Sequence, residues 1–160
     1  MEPLIVLVVV TGLLLAAGTL GVRGLRAWPV ALRGGLAAMF LLTGVVHFAW
    51  MRQEMIEMVP PGLPSPAVLV SLTGALELLG ALALLVRALA PWSAAGLFAL
   101  LLAMFPANVQ HALSGAALDP GEGLLLRTLI QLVFLAATGV VAVHHFRSRR
   151  SSDGVDGRVS

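Results

Sequence analysis

Five long stretches of this chain are almost free of charge, and they restrict the fold more than anything else in it. Residues 4–22 carry no charged side chain. Among strongly polar groups, residues 34–51 contain only His47, and residues 67–86 only Glu77. Residues 92–113 hold Asn108, Gln110 and His111 beside Pro106, and residues 123–143 hold Arg127 and Gln131. About 20 apolar residues in a helix cross a hydrocarbon core of about 30 Å. A helix satisfies its own backbone groups where no water is present. The pattern therefore predicts an all-α, polytopic membrane helix bundle with five spans, at 4–22, 34–51, 67–86, 92–113 and 123–143. These form one transmembrane domain over residues 1–146, followed by a polar, Gly/Ser-rich tail over 147–160 that is expected to be disordered.

Composition supports this and removes several functions. The chain is 59% hydrophobic and 11% charged, whereas a soluble domain carries about 25% charged residues. The net charge of +2, with no basic stripe among aromatic residues, argues against nucleic acid as a partner. There is no cysteine, so the chain supplies neither thiolate catalysis nor cysteine-ligated metal. No phosphate-binding loop, dinucleotide fingerprint or Ser/His/Asp arrangement is present.

The loops assign an orientation. Arg23, Arg26 and Arg33 follow the first stretch, Arg87 the third, and Arg147, Arg149 and Arg150 the fifth. The other side offers Glu2, Glu54, Glu57, Asp119 and Glu122, with Arg52 its one loop arginine. The positive-inside rule then places the N-terminus outside and the C-terminus in the cytoplasm, with the chain in the inner (plasma) membrane. Trp28 and Trp92 fall at the inner interface and Trp50 at the outer, as an aromatic belt requires. The first stretch has an acidic start and a long apolar run, which reads as a retained helix rather than a cleaved leader. The loop "RQEMIEMVPPGLPSP" (residues 52–66) holds Pro60, Pro61 and Pro64, which stiffen its second half. Its first half suits a short amphipathic turn at the outer interface.

Depth makes the polar residues informative. At 1.5 Å per residue, Glu77 lies about 15 Å into its helix, near the midplane, while Arg127 and Gln131 lie about 6 and about 12 Å into theirs. His47, Asn108 and His111 fall in the outer third. Polar groups within spans are costly and by default mark a site or an interhelical lock. Arg127 and Gln131 share a helix face at i, i+4, and Asn108 and His111 do so at i, i+3. Pro106 frees the carbonyl of Leu102 and predicts a kink. Gly74 and Gly80 bracket Glu77 and permit close approach. The expectation is an outward-opening pocket with Glu77 as floor, Arg127 and Gln131 as a wall, and His47, Asn108 and His111 as rim. In it Glu77 faces Arg127.

Plainer roles stand beside this one. A Glu77–Arg127 pair fixes helix register without any ligand, Arg127 can snorkel to headgroups, and Asn108 and Gln131 individually serve as interhelical glue. His47, Glu77 and His111 lack the spacing of a metal site, so no metal is expected. His144 and His145, at the cytoplasmic exit, receive no role.

Five motifs, in this order, carry a family likeness: "GVVHFAW" (44–50), "MVPPGLPSP" (58–66), "LTGALELLGALALL" (72–85), "FPANVQHAL" (105–113) and "LLLRTLIQLVFL" (124–135). Over residues 34–143 the chain resembles the DoxX and DoxX-like family of small bacterial membrane proteins. The resemblance implies a four-helix core, with residues 4–22 as an added span. It implies functional positions at His47, Glu77, Pro106–Asn108, Arg127 and Gln131. It also implies association with quinone-linked oxidoreductases, although many family members have no assigned activity.

Three roles follow. The first is an accessory or ligand-binding subunit that holds a quinone or other lipid non-covalently, with a membrane or redox partner protein supplying electron chemistry. The second is a membrane enzyme acting on a hydrophobic substrate with Glu77 as acid/base. The third is a structural or assembly subunit, in which self-association is also open. Membrane lipids are partners in all three.

Overall fold

The computed structural model describes residues 1–49, 51–113 and 123–156, the side chains of 111, 113 and 149–156 excepted. Trp50, Asp119, Glu122 and the side chains of His111, Arg149 and Arg150, all invoked above, lie outside the described residues. Among the described residues every regular element is helical. They are α1 (Glu2–Thr19), a 3-10 turn (Arg23–Leu25), α2 (Trp28–Val46), α3 (Arg52–Met58), α4 (Pro66–Leu85), α5 (Ala90–Leu113) and α6 (Leu124–Asp156). Five of these helices are long and apolar enough to cross a membrane, which fits a multi-pass membrane protein.

Proline sets where the helices begin. Pro3, Pro29 and Pro66 occupy the first turns of α1, α2 and α4. There a missing N–H leaves no bond unmade and a fixed φ favours helix. The apolar pattern placed the second span at 34–51, but Pro29 starts α2 six residues earlier, at Trp28, and draws Arg33 into the helix. At the far end α2 stops at Val46, so His47 caps it instead of lying within it. The polar half of the 52–66 loop forms the short helix α3, none of whose residues is buried. Between Pro64 and Pro66, Ser65 takes a left-handed conformation at φ 49° before α4 begins.

The last helix departs from expectation. Residues 147–156, expected in a disordered tail, continue α6 as helix to Asp156. Nothing between Gly139 and Gly154 breaks a helix, and the Ser148 hydroxyl donates back to the His144 carbonyl at 3.0 Å. Residues 157–160 lie outside the described residues.

α2, α4, α5 and α6 form a closed ring: α4 packs on α2 and α5, and α6 packs on α5 and closes back on α2. α1 lies outside the ring against α2. Leu36, Met39 and Phe40 of α2, Leu84 of α4 and Thr138 and Val141 of α6 are fully buried in its core. Gly35 lets α1 in, because a Cβ there would collide with the Thr11 side chain and come within 2.9 Å of the Leu7 carbonyl oxygen. Outward, Leu13, Leu79, Leu125 and Leu132 are each more than half exposed. A soluble protein rarely leaves so continuous an apolar surface uncovered.

Cross-helix contacts show that successive spans run antiparallel. Arg33 of α2 meets His145 of α6, and Trp92 of α5 packs edge-on against Phe146 of α6 at 5.0 Å. One end of the bundle therefore gathers Arg33, Arg87, His144, His145 and Arg147. His47, α3 and the starts of α4 and α6 lie at the opposite end.

Candidate functional site at the α2–α4 contact

The site begins with a helix ending. The backbone N–H of His47 donates to the Thr43 carbonyl at 3.3 Å, and its ring Nδ1 reaches the same oxygen at 2.8 Å. A carbonyl only accepts, so Nδ1 carries the hydrogen. This turns the imidazole back along α2 and toward α4.

α4 is shaped to receive it. A Cβ on Gly74 would stand 2.5 Å from the His47 Cβ and 2.9 Å from the Phe48 ring. A Cβ on Gly44 of α2 would meet Leu78 at 2.8 Å and the Gly74 carbonyl at 3.2 Å. These two glycines let the backbones approach, as small residues do between membrane helices. One turn beyond Gly74 comes Glu77. Its carboxyl lies beside the Thr43 side chain, with Oε2 3.7 Å from His47 Nδ1.

Both side chains are 4% exposed. Because Nδ1 already gives its hydrogen to Thr43, and 3.7 Å is beyond hydrogen-bond length, the pair is electrostatic only. Glu77 Oε2 is buried with no hydrogen-bond partner. Leaving such an oxygen unmatched in an apolar interior is unfavourable, so the carboxyl is an open hydrogen-bonding position. Ionised, it accepts a donor; protonated, it offers an O–H to an acceptor.

The expected Glu77–Arg127 pairing is corrected. Glu77 lies beside His47 of the adjacent helix at 3.7 Å, and among the described residues no ion pair joins it to Arg127. The reason is topological: α4 sits between α2 and α5, while Arg127 lies in the first turn of α6, across the ring. Arg127 is half-buried there, and its N–H bonds the Gly123 carbonyl at 3.1 Å.

The other expected wall residue is engaged elsewhere. Gln131 is buried and its Nε2 donates to the Leu101 carbonyl of α5 at 2.7 Å. That carbonyl is the neighbour of Leu102, whose own carbonyl Pro106 leaves without its helix donor. Gln131 thus locks α6 to α5. Asn108 is half-buried near the end of α5, Pro60 is half-buried and Pro61 exposed in the loop, and the His111 side chain lies outside the described residues. Gly80 faces α5, where a Cβ would meet Leu97 at 2.7 Å. Of the expected set, the structure brings His47 and Glu77 together, with Gly74 between them.

Arg52 belongs to the site and was not singled out by sequence reasoning. Its guanidinium donates to the His47 carbonyl at 3.3 Å, the Ala67 carbonyl at 3.3 Å and the Ser71 hydroxyl at 2.9 Å. It caps the end of α2, where positive charge is favoured, and ties that end to the start of α4. The one available signal was its isolation as the single arginine among the acidic loops. Among the described residues no group of three or more His, Asp or Glu side chains suits a metal ion.

Comparison with protein families matches residues 36–142 to DUF8561, described as a domain of unknown function. No curated protein and no solved structure matches the chain.

Proposed function

This chain belongs to the DUF8561 family, a family of unknown function, and on that premise we propose that it binds the polar end of a lipophilic molecule, a quinone or a similar lipid, at Glu77 and His47. The observation that carries this reading is the buried Glu77 Oε2, which has no hydrogen-bond partner beside an imidazole 3.7 Å away. A hydroxyl or carbonyl headgroup of such a molecule completes that oxygen's bonding, and its apolar tail runs into lipid between the helices. Gly44 and Gly74 hold the backbones close on either side, and Arg52 keeps the helix ends together above. The role is that of an accessory membrane subunit, with electron transfer left to a redox partner protein. The five ordered motifs that resemble DoxX proteins support the same reading.

Loop charge supports an inner-membrane orientation with the N-terminus outside and the C-terminus cytoplasmic. In that orientation the Glu77 site lies between the bilayer midplane and its outer face.

The test is retention of endogenous quinone. Protein extracted gently from its own membrane is expected to carry quinone, and Glu77→Gln to carry at least about ten times less, since losing a charged or matched polar contact in a dry site is worth that much. Gln131→Leu, whose lock lies elsewhere, is expected to retain it. Equal quinone content in wild type and Glu77→Gln would overturn the proposal.

A further inference from the structure

The opposite end of the bundle holds a second feature that the Glu77 site does not use. On the outer face of α5 and α6 runs an open groove of about 690 Å³, lined by apolar side chains with His144, Arg147 and Trp28 among its lining residues. Phe98 of α5 forms one wall, and Ala136, Gly139 and Val140 of α6 form its floor. From Leu132 to Arg147 the lining follows α6 for about 22 Å. That exceeds half of a hydrocarbon core of about 30 Å, the depth of one leaflet.

The polar end is cationic. His144 and Arg147 line the groove itself. Directly behind them His145 stacks edge-on to His144 at 5.3 Å. The His145 Nδ1 donates to the Val141 carbonyl at 2.9 Å, so its Nε2 is the acceptor facing Arg33 Nη1 at 3.5 Å. A neutral imidazole thus holds the Arg33 guanidinium at this end. The charge of Arg87 acts on both Arg33 and His145. The segments that meet here, residues 20–33, 86–93 and 139–150, contain no aspartate or glutamate. Basic side chains from α2, α6 and the turn between α4 and α5 therefore surround the mouth of an apolar channel that opens sideways to lipid.

We propose that this groove binds one anionic glycerophospholipid, its acyl chain along α6 and its phosphate at His144 and Arg147. Charge complementarity selects the occupant. A zwitterionic lipid fits the channel equally but brings no net charge to the basic cluster, whereas basic pockets between membrane helices favour anionic headgroups. Arg33 and Arg87 add to the field from behind, and Trp28 sits at headgroup level, where its amphipathic ring is favoured.

The test uses the full chain, stripped in detergent and supplied with equal amounts of phosphatidylglycerol and phosphatidylcholine, with bound lipid counted by native mass spectrometry. One phosphatidylglycerol per chain is expected, preferred by roughly ten-fold or more, as Arg147 with Arg33 and Arg87 behind it provide for an anionic headgroup. The His144→Ala/Arg147→Ala double variant is expected to lose the preference, and Arg23→Ala, outside the groove, to keep it. Gly139→Leu fills the channel floor while leaving every charge in place, since a Cβ there reaches the Phe98 ring only at 3.6 Å; it is expected to lose bound lipid with an unchanged helical circular-dichroism spectrum. Equal retention of the two lipids by wild type, or a preference that survives either the double variant or Gly139→Leu, would overturn the proposal.

Discussion

Glu77 Oε2 lies 3.7 Å from His47 Nδ1, yet the hydrogen on that nitrogen is already given to the Thr43 carbonyl at 2.8 Å. The two residues are neighbours without being bonded. An acid held this way contributes little to the bundle, because the Thr43 side chain beside its carboxyl is set against a buried Oε2 that no donor reaches. The same arrangement leaves the oxygen available to a ligand, so stability and binding respond oppositely to its removal.

Glu77→Leu is therefore expected to fold, with thermal stability equal to wild type or higher by about 1–3 kcal/mol, since replacing a poorly matched buried polar group with an apolar one of similar size is neutral to stabilising. Bound quinone is expected to vanish in the same variant. Thermal unfolding in one detergent, followed by circular dichroism, reads the first effect. A clear loss of stability would mean that the carboxyl has a structural partner.

Gly74→Ala tests the close approach. The added methyl falls 2.5 Å from the His47 Cβ, and the resulting overpacking is expected to lower stability by about 1–3 kcal/mol. Gly12→Ala is the comparison, because nothing lies within 4 Å of a Cβ there. Helix propensity favours that change by up to about 1 kcal/mol. Paired melting curves decide between the two.

Arg52→Ala removes three hydrogen bonds that join the end of α2 to the start of α4. A loss of about 1.5–3 kcal/mol is expected, the range for bonds to a charged group. Arg52→Lys is expected to recover only part of it, since an ammonium lacks the planar fork that spans several acceptors. Faster proteolysis at residues 59–65 in the alanine variant would accompany the loss.

Gln131→Leu is expected to lower stability by about 0.6–1.7 kcal/mol, the span measured for hydrogen bonds between membrane helices, while quinone content stays at the wild-type level. This separates a lock from a site. Reduced quinone in this variant would join Gln131 to the pocket after all.

The absence of cysteine gives a direct test of orientation. Glu57→Cys is expected to react with a membrane-impermeant maleimide in intact cells, and Arg23→Cys only after the membrane is opened. The opposite pattern would reverse the orientation.

Some of this protein is legible from the one-dimensional pattern alone. Long uncharged runs such as residues 4–22 leave the backbone no stable choice in lipid but helix, so the number of spans follows from local composition. The antiparallel order follows from short loops, and the importance of Glu77 from the rarity of an acid at that depth. Its partner could not be read in the same way. Depth along a helix axis puts Glu77, Arg127, Gln131 and His47 all between the midplane and the outer face, but it says nothing about which helix stands beside which. Arg127 offered the stronger charge and His47 the nearer neighbour, and neighbourhood was decided by the ring order α2–α4–α5–α6. Likewise Arg52 looked like an ordinary loop arginine until the fold brought the His47 and Ala67 carbonyls within its reach. Composition determines what each segment must be, because that is a contest between residue and solvent; which side chains meet is a property of packing, and only the assembled bundle holds it.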